Sequence, residues 1–199
     1  MLSRPGYVDT ITILAGSDEV PFTVHKDVIC AKSDFFIAAC SGNWRENEDG
    51  VVRLPTVEAR VVKLYIHWCY ANKVEVAILN DSKVDDVADN NKDWCRLRTK
   101  VLIRSYAAAN MLLDEMLMDA IMDGMIRLDS GDLLKLSHKS VQEVMENVGT
   151  GSELYALIVD CAGDSVRRDL LELFSQYPSR FLAEVAVRLR EISGKDESM

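Results

Sequence analysis

Three histidines, His25, His67 and His138, are the first places to look for acid–base or metal chemistry in this chain. His25 opens the triplet His25-Lys26-Asp27, with Asp9 a further carboxylate upstream. In an enzyme, Asp27 or Asp9 would orient the imidazole and leave its second nitrogen to act as a general base. The competing reading is architectural. A histidine at a strand-to-helix junction can use its ring nitrogens to satisfy backbone groups freed by the change of structure. That reading is favoured, because no HExxH, Gly-rich phosphate loop or GxSxG pattern accompanies the ring. Ser33 is read the same way, as a helix cap and not a nucleophile.

Metal chemistry finds little support. His67 and Cys69 flank Trp68, but residues two apart on a helix point to different faces and cannot share a zinc ion without distortion. Asp89, Asn91 and Asp93 match positions 1, 3 and 5 of a calcium loop. The glycine needed next is Trp94 and the closing glutamate is Lys100, so a cation stands where a bidentate anion is required. No catalytic, cofactor or metal site is therefore expected.

The totals narrow the class further. The 199 residues carry 23 basic and 32 acidic side chains, a formal net charge of −9, which disfavours non-specific attraction to nucleic acid or anionic membranes. Hydrophobic residues make up 48% of the chain, enough for a sizeable core, and only 4 prolines and 10 glycines argue against disorder. The five cysteines are odd in number with no CxxC spacing, so they are expected to be reduced and mostly buried in a cytoplasmic or nuclear protein. The opening "MLSRPGY" lacks a secretory apolar segment, and no apolar run is long enough to span a membrane.

Periodicity supplies the strands and helices on which these residues sit. "VDTITIL", 8–14, and "VPFTVH", 20–25, read as two β-branched strands at hairpin distance, separated by the turn residues "AGSDE". From Asp27 the spacing becomes helical, and "SDFF" restarts a helix with Ser33 as its cap. "VVRLP", 51–55, predicts a third strand ended by Pro55, with Thr56 as a cap for the next helix. Val61, Leu64, Tyr65 and Trp68 define that helix as amphipathic over 58–71, closed by Asn72 in a left-handed conformation. "VEVAIL" suggests a short fourth strand, residues 80–93 a polar and mobile surface loop, and helices resume near Arg98. "VLIRSYAAANMLL" is apolar on most sides, as a central buried helix would be, and the next helix puts Leu117, Ile121, Met125 and Leu128 on one stripe. "DSGD", 129–132, marks the best internal boundary, with helical segments beyond it near 133–147, 153–163, 165–175 and 179–192.

In order and spacing, several stretches resemble a BTB/POZ domain, most closely the variety abundant in filamentous fungi. They are Phe22-Thr-Val-His25-Lys26, Ser33-Asp-Phe35-Phe36, Gly42-Asn-Trp44-Arg-Glu46, Val52-Arg-Leu54-Pro55 and Trp68-Cys-Tyr70-Ala-Asn72-Lys73-Val74. The resemblance covers a domain over 7–128, and "GSELYALIVD" resembles the helical extension, here 129–192, that often follows it. It implies an α+β fold: a small three-stranded sheet packed against a cluster of α-helices, followed by an all-α extension. His25, Lys26, Ser33, Phe35, Phe36 and Tyr70 would be structural motif residues. The family commonly has Thr-Gly after the tyrosine where this chain has Ala71-Asn72, and asparagine can supply the same positive φ.

BTB domains are not enzymes, and the resemblance implies a protein-interaction module: an adaptor or scaffold, some members serving cullin-type ubiquitin ligases. The alternative is a transcriptional or chromatin regulator that self-associates through the domain, although no zinc finger or basic segment accompanies it. Asp9 and Lys26 occupy positions that form a charged interface pocket in dimerising members. Only about six residues precede Tyr7, which implies a weaker or differently built dimer. Cullin-binding members present an apolar-x-Glu turn before their last two helices, and "DWCRLRT" offers no clean match. Trp94, in a polar context, is the candidate contact anchor, whereas Trp44 is expected to be buried. The partners implied are other proteins, a second copy or a cullin scaffold, with no nucleic acid, membrane or small-molecule substrate.

Overall fold

The computed structural model describes residues 9–41, 49–79, 92–129, 136–169 and 176–196. Trp44, Asp89, Asn91 and most of the expected loop over 80–93 lie outside them. The sheet has three strands among the described residues, ordered β2-β1-β3: β1 is Thr10–Ala15, β2 Val20–His25 and β3 Val51–Leu54. β1 pairs antiparallel with β2, Thr10 opposite His25 and Ala15 opposite Val20. It pairs parallel with β3, Thr12 opposite Val51. Alternation along β1 buries Ile11, Ile13 and Ala15 on one face. The strand thus starts and ends one to two residues later than its β-branched run suggests.

The eight helices described are α1 Lys26–Cys30, α2 Asp34–Ser41, α3 Ala59–Ala71, α4 Lys92–Met111, α5 Glu115–Asp129, α6 His138–Asn147, α7 Glu153–Asp169 and α8 Ser179–Asp196. The architecture is the expected α+β one, a small mixed sheet with helices and an all-α C-terminal region. The chain divides into two compact units, one of residues 1–87 and 104–124, the other of 88–103 and 125–199.

In the first unit, Ile13, Ile29, Phe36, Leu64, Tyr65, Leu112, Leu117 and Ile121 are buried, each aliphatic or phenylalanine side chain worth about 1.5–3 kcal/mol relative to exposure. Phe36 stacks on Tyr65 with ring centroids 6.2 Å apart, and Phe35 meets Phe36 edge-on at 5.2 Å. Asn72 closes α3 at φ 53°, the left-handed conformation its sequence position suggests.

Several expectations fail for identifiable reasons. "VEVAIL" is not a strand: Val76–Leu79 forms one 3-10 turn that packs on α3 and buries Val76. Its β-branched composition reflects burial and not pairing. Thr56 does not cap α3. The N-cap is Glu58, which makes no side-chain capping bond, because Val57 first turns back to bond the Leu54 carbonyl at 3.2 Å and bury its side chain. α4 begins at Lys92, not near Arg98. Its first two turns have few apolar residues to set a period, but Lys, Arg and Leu are good helix formers. The expected break near residue 164 is absent, since α7 is continuous from Glu153 to Asp169.

In the second unit, Ser137 caps α6 by accepting from Ser140 N–H at 3.2 Å, and Ser152 caps α7 by accepting from Tyr155 N–H at 3.2 Å. Tyr155, Phe181 and Tyr177 form an aromatic run between α7 and α8, with centroid separations of 6.2 and 5.7 Å. Arg188 Nε reaches Asp160 across the same pair of helices at 2.7 Å.

Candidate interaction site

β2 is an edge strand, and an edge is a template for unwanted pairing. The Lys26 N–H donates to the Asp9 carbonyl at 2.8 Å. With the observed register, that bond makes Ile11–Val24, Ile13–Phe22 and Ala15–Val20 the hydrogen-bonded pairs. Pro21, Thr23 and His25 therefore direct their backbone groups outward. Pro21 has no N–H to offer. The His25 N–H donates to the Tyr70 hydroxyl at 3.1 Å. Only Thr23 keeps an outward N–H without a partner among the described residues.

Tyr70, near the end of α3, thus covers the end of the edge strand. Its hydroxyl accepts from the His25 backbone and lies 2.6 Å from His25 Nδ1. The hydroxyl donates to Nδ1 when the neutral ring carries its proton on Nε2, and accepts from Nδ1–H in the other tautomer. The two rings meet edge-on at 5.7 Å. This differs from the sequence expectation: the imidazole satisfies no freed backbone group, and His25 makes no side-chain cap for α1. Tyr70 satisfies the backbone, and the ring holds Tyr70. Neither Asp9 nor Asp27 bonds the ring, so no oriented base is assembled there among the described residues.

Next to this contact, three turns are tied together. Ser33 Oγ accepts from Phe36 N–H at 3.2 Å, the expected cap of α2, and donates to the Leu112 carbonyl. Lys32 Nζ donates to Asn72 Oδ1 at 2.7 Å and lies 5.1 Å from the Trp68 ring centre, a cation–π contact. Trp68 Nε1 donates to Asp114 Oδ2 at 3.0 Å, while Asp114 Oδ1 accepts from Leu117 N–H at 2.9 Å and so caps α5. Asp114 is only 2% exposed. Burial pushes the neighbouring Cys69 thiol up to about 12 from 9.0, against the lowering effect of the nearby Tyr65 hydroxyl. Burial also raises the Tyr65 hydroxyl far above its ordinary value. These are protonated, unreactive groups at neutral pH. His67 Nε2 lies 3.4 Å from Glu75, and no group of three possible metal ligands occurs among the described residues.

Leu113, between Leu112 and Asp114, differs from its surroundings. It adopts φ 56°, a conformation that L-residues other than Asn and Asp rarely take, and the residue is 59% exposed. Met111 and Met116 beside it are 40% and 57% exposed. Sequence reasoning passed over this turn; the signal available was the run "NMLLDEM", apolar through a helix-to-helix junction where glycine is usual.

The remaining candidates are dispersed. Asp9 and Lys26 are neighbours at the end of the β1–β2 pair, joined through their backbones. Phe36 is core, and Phe35 half-buried beside it. Trp94 lies in the first turn of α4. Among the described residues, no helix is long and apolar enough to cross a membrane.

A sequence model of the BTB/POZ domain matches residues 2–121. That span takes in the whole sheet, the His25–Tyr70 contact, the Ser33 cap, the Asp114 junction and about the first half of α5. The chain belongs to the BTB/POZ family, and its matched region is a protein-interaction module.

Proposed function

We propose that this protein acts as an adaptor or scaffold, and that the turn between α4 and α5 is one of its contact surfaces. The observation that carries this reading is Leu113, an exposed leucine held at positive φ between two exposed methionines. A left-handed L-residue costs about 1–2 kcal/mol relative to its usual conformation. Glycine would relieve that cost and remove the exposed apolar surface, so the leucine side chain is best explained by contact with something outside the chain. Methionine flanking it suits an adaptable protein contact.

A cullin-type ligase scaffold is the partner to test first. The tripeptide Leu113-Asp114-Glu115 has the apolar-x-Glu form, although it follows α4 instead of preceding it. Self-association through Asp9 and Lys26 belongs to the same proposal, and light scattering across a concentration series reads it directly.

The deciding experiment is affinity capture from the native organism with quantitative mass spectrometry, comparing the natural chain with a Leu113→Ser, Met116→Lys double variant. A set of partners lost by the variant supports the reading, and a cullin scaffold among them supports the ligase form. Equal recovery of every partner by a folded variant overturns it.

A further inference from the structure

β2 and α3 pack together in the first unit, and where Tyr70 covers the His25 end of the strand, the Val20 end is open. A cleft of about 660 Å³ lies there, between the β1–β2 turn, the β3–α3 connection and the first turns of α3. That volume is within the range of ~300–1,000 Å³ typical of ligand pockets. Its apolar lining is Ala15, Val20 and Phe22 together with Pro55 and Ala59. By register, Val20 and Phe22 share the face of β2 that buries Val24. Val20 is nonetheless 37% exposed.

The α3 lip is cationic. Arg60 and Lys63, three positions apart on α3, both line the cleft. Of the cleft's two acids, Glu58 is bonded by Arg104 and lies 3.8 Å from Arg60, and Asp18 accepts from the neutral Ser17 Oγ at 3.3 Å. The Arg60–Glu58 separation is long for a guanidinium–carboxylate pair, which leaves Arg60 donors for another anion. Glu58 gives α3 no side-chain cap, so the positive end of a 13-residue helix opens on the same side. The β1–β2 turn that forms the opposite wall is fixed. Gly16 at φ 71° donates to the Leu54 carbonyl at 3.0 Å, and Glu19 at φ 49° pairs with Arg53 at 3.4 Å.

We infer that this cleft binds a short segment of a partner protein carrying one apolar side chain and, within two residues of it, a carboxylate. The apolar group covers Val20 and Phe22, and the carboxylate meets Arg60. Strand addition is disfavoured as the binding mode, because Pro21 interrupts the outward N–H groups of β2. The inference rests on the protein-binding character of the family and uses residues other than those of the α4–α5 turn.

The test is selection of phage-displayed random heptapeptides on the full chain, with the enriched peptides then measured by fluorescence anisotropy on Val20→Asp and Arg60→Glu variants. Enriched peptides are expected to place Leu, Ile, Phe or Tyr within two positions of Asp or Glu. Each variant should weaken them by about tenfold or more, and replacing the peptide acid with its amide should do the same. Val20→Ser and Arg60→Gln serve where a charged variant loses its fold. No enrichment, unchanged affinity for folded variants, or indifference to the acid-to-amide change overturns the inference. Any of these results alongside Leu113-dependent capture removes the cleft and leaves the adaptor reading standing.

Discussion

The two ends of β2 use similar residue types to opposite effect. At the His25 end, polar groups meet partners inside the chain: the strand's N–H finds Tyr70, Lys32 finds Asn72 and Trp68, and Asp114 serves both Trp68 and α5. At the Val20 end, Arg60 stands 3.8 Å from Glu58, long for such a pair, and lines a cleft with several apolar residues. Histidine, lysine or aspartate in a motif therefore does not by itself indicate chemistry. What separates bracing from contact is how fully each group's bonds are met within the chain, and that depends on the fold.

If the two ends differ in this way, they should lose stability unequally. Asp114→Ala should cost the most, about 2–4 kcal/mol, because it strands the buried Trp68 N–H and removes the α5 cap together. Urea unfolding followed by tryptophan fluorescence reads it as a lower midpoint. A midpoint within experimental error of the natural chain would show that the His25 end is not braced through Asp114.

Alkaline pH should act on the same end. The folded state holds Cys69 protonated up to about 12 against 9.0 as its ordinary value, chiefly through burial. Above about pH 9 the unfolded chain releases this proton and the folded chain does not. Stability is thus fully present below that pH and falls above it, by at most about 1.4 kcal/mol per pH unit for each such group. Cys30, raised to about 11 chiefly by burial, acts in the same direction. A urea midpoint that is level from pH 6 to 8 and drops by pH 10 is the expected result. Cys69→Ala should flatten the drop.

Local spacing made part of this readable from the sequence, and the limits have physical causes. The Ser33 cap was visible because a cap joins residues three apart, but its second bond, to Leu112, was not, since that contact spans 79 positions. His25 was recognisable as a junction residue, yet its partner Tyr70 stands 45 positions on, in another helix. The same distance hid the direction of the bracing, in which tyrosine serves the backbone and histidine serves tyrosine. Composition misled at "VEVAIL", where β-branched residues pack a 3-10 turn, and at Lys92, where a helix runs on without an apolar stripe. The cleft left no pattern because its walls come from the β1–β2 turn, β2, the β3–α3 connection and α3.

A smaller effect separates the two members of the brace. Tyr70→Phe exposes the His25 N–H on a sheet edge and should cost about 1 kcal/mol, with a greater tendency to self-associate. His25→Ala leaves that N–H bonded to the tyrosine and should cost less, about 0.5 kcal/mol. The double variant should show less than the sum, since both changes remove one shared bond. If His25→Ala proves the more damaging, the ring carries a role beyond holding Tyr70.

Leu113→Gly should move stability least and function most. Releasing the left-handed strain gains about 1 kcal/mol, and the added freedom of glycine in the unfolded chain offsets about half of it or more. The unfolding midpoint should stay level or rise slightly, while the partners that depend on the α4–α5 turn are lost. A braced residue behaves in the reverse way, losing stability when it is replaced. A clear fall in the midpoint on Leu113→Gly would place Leu113 with the bracing residues and leave the Val20 cleft as the contact surface of this unit.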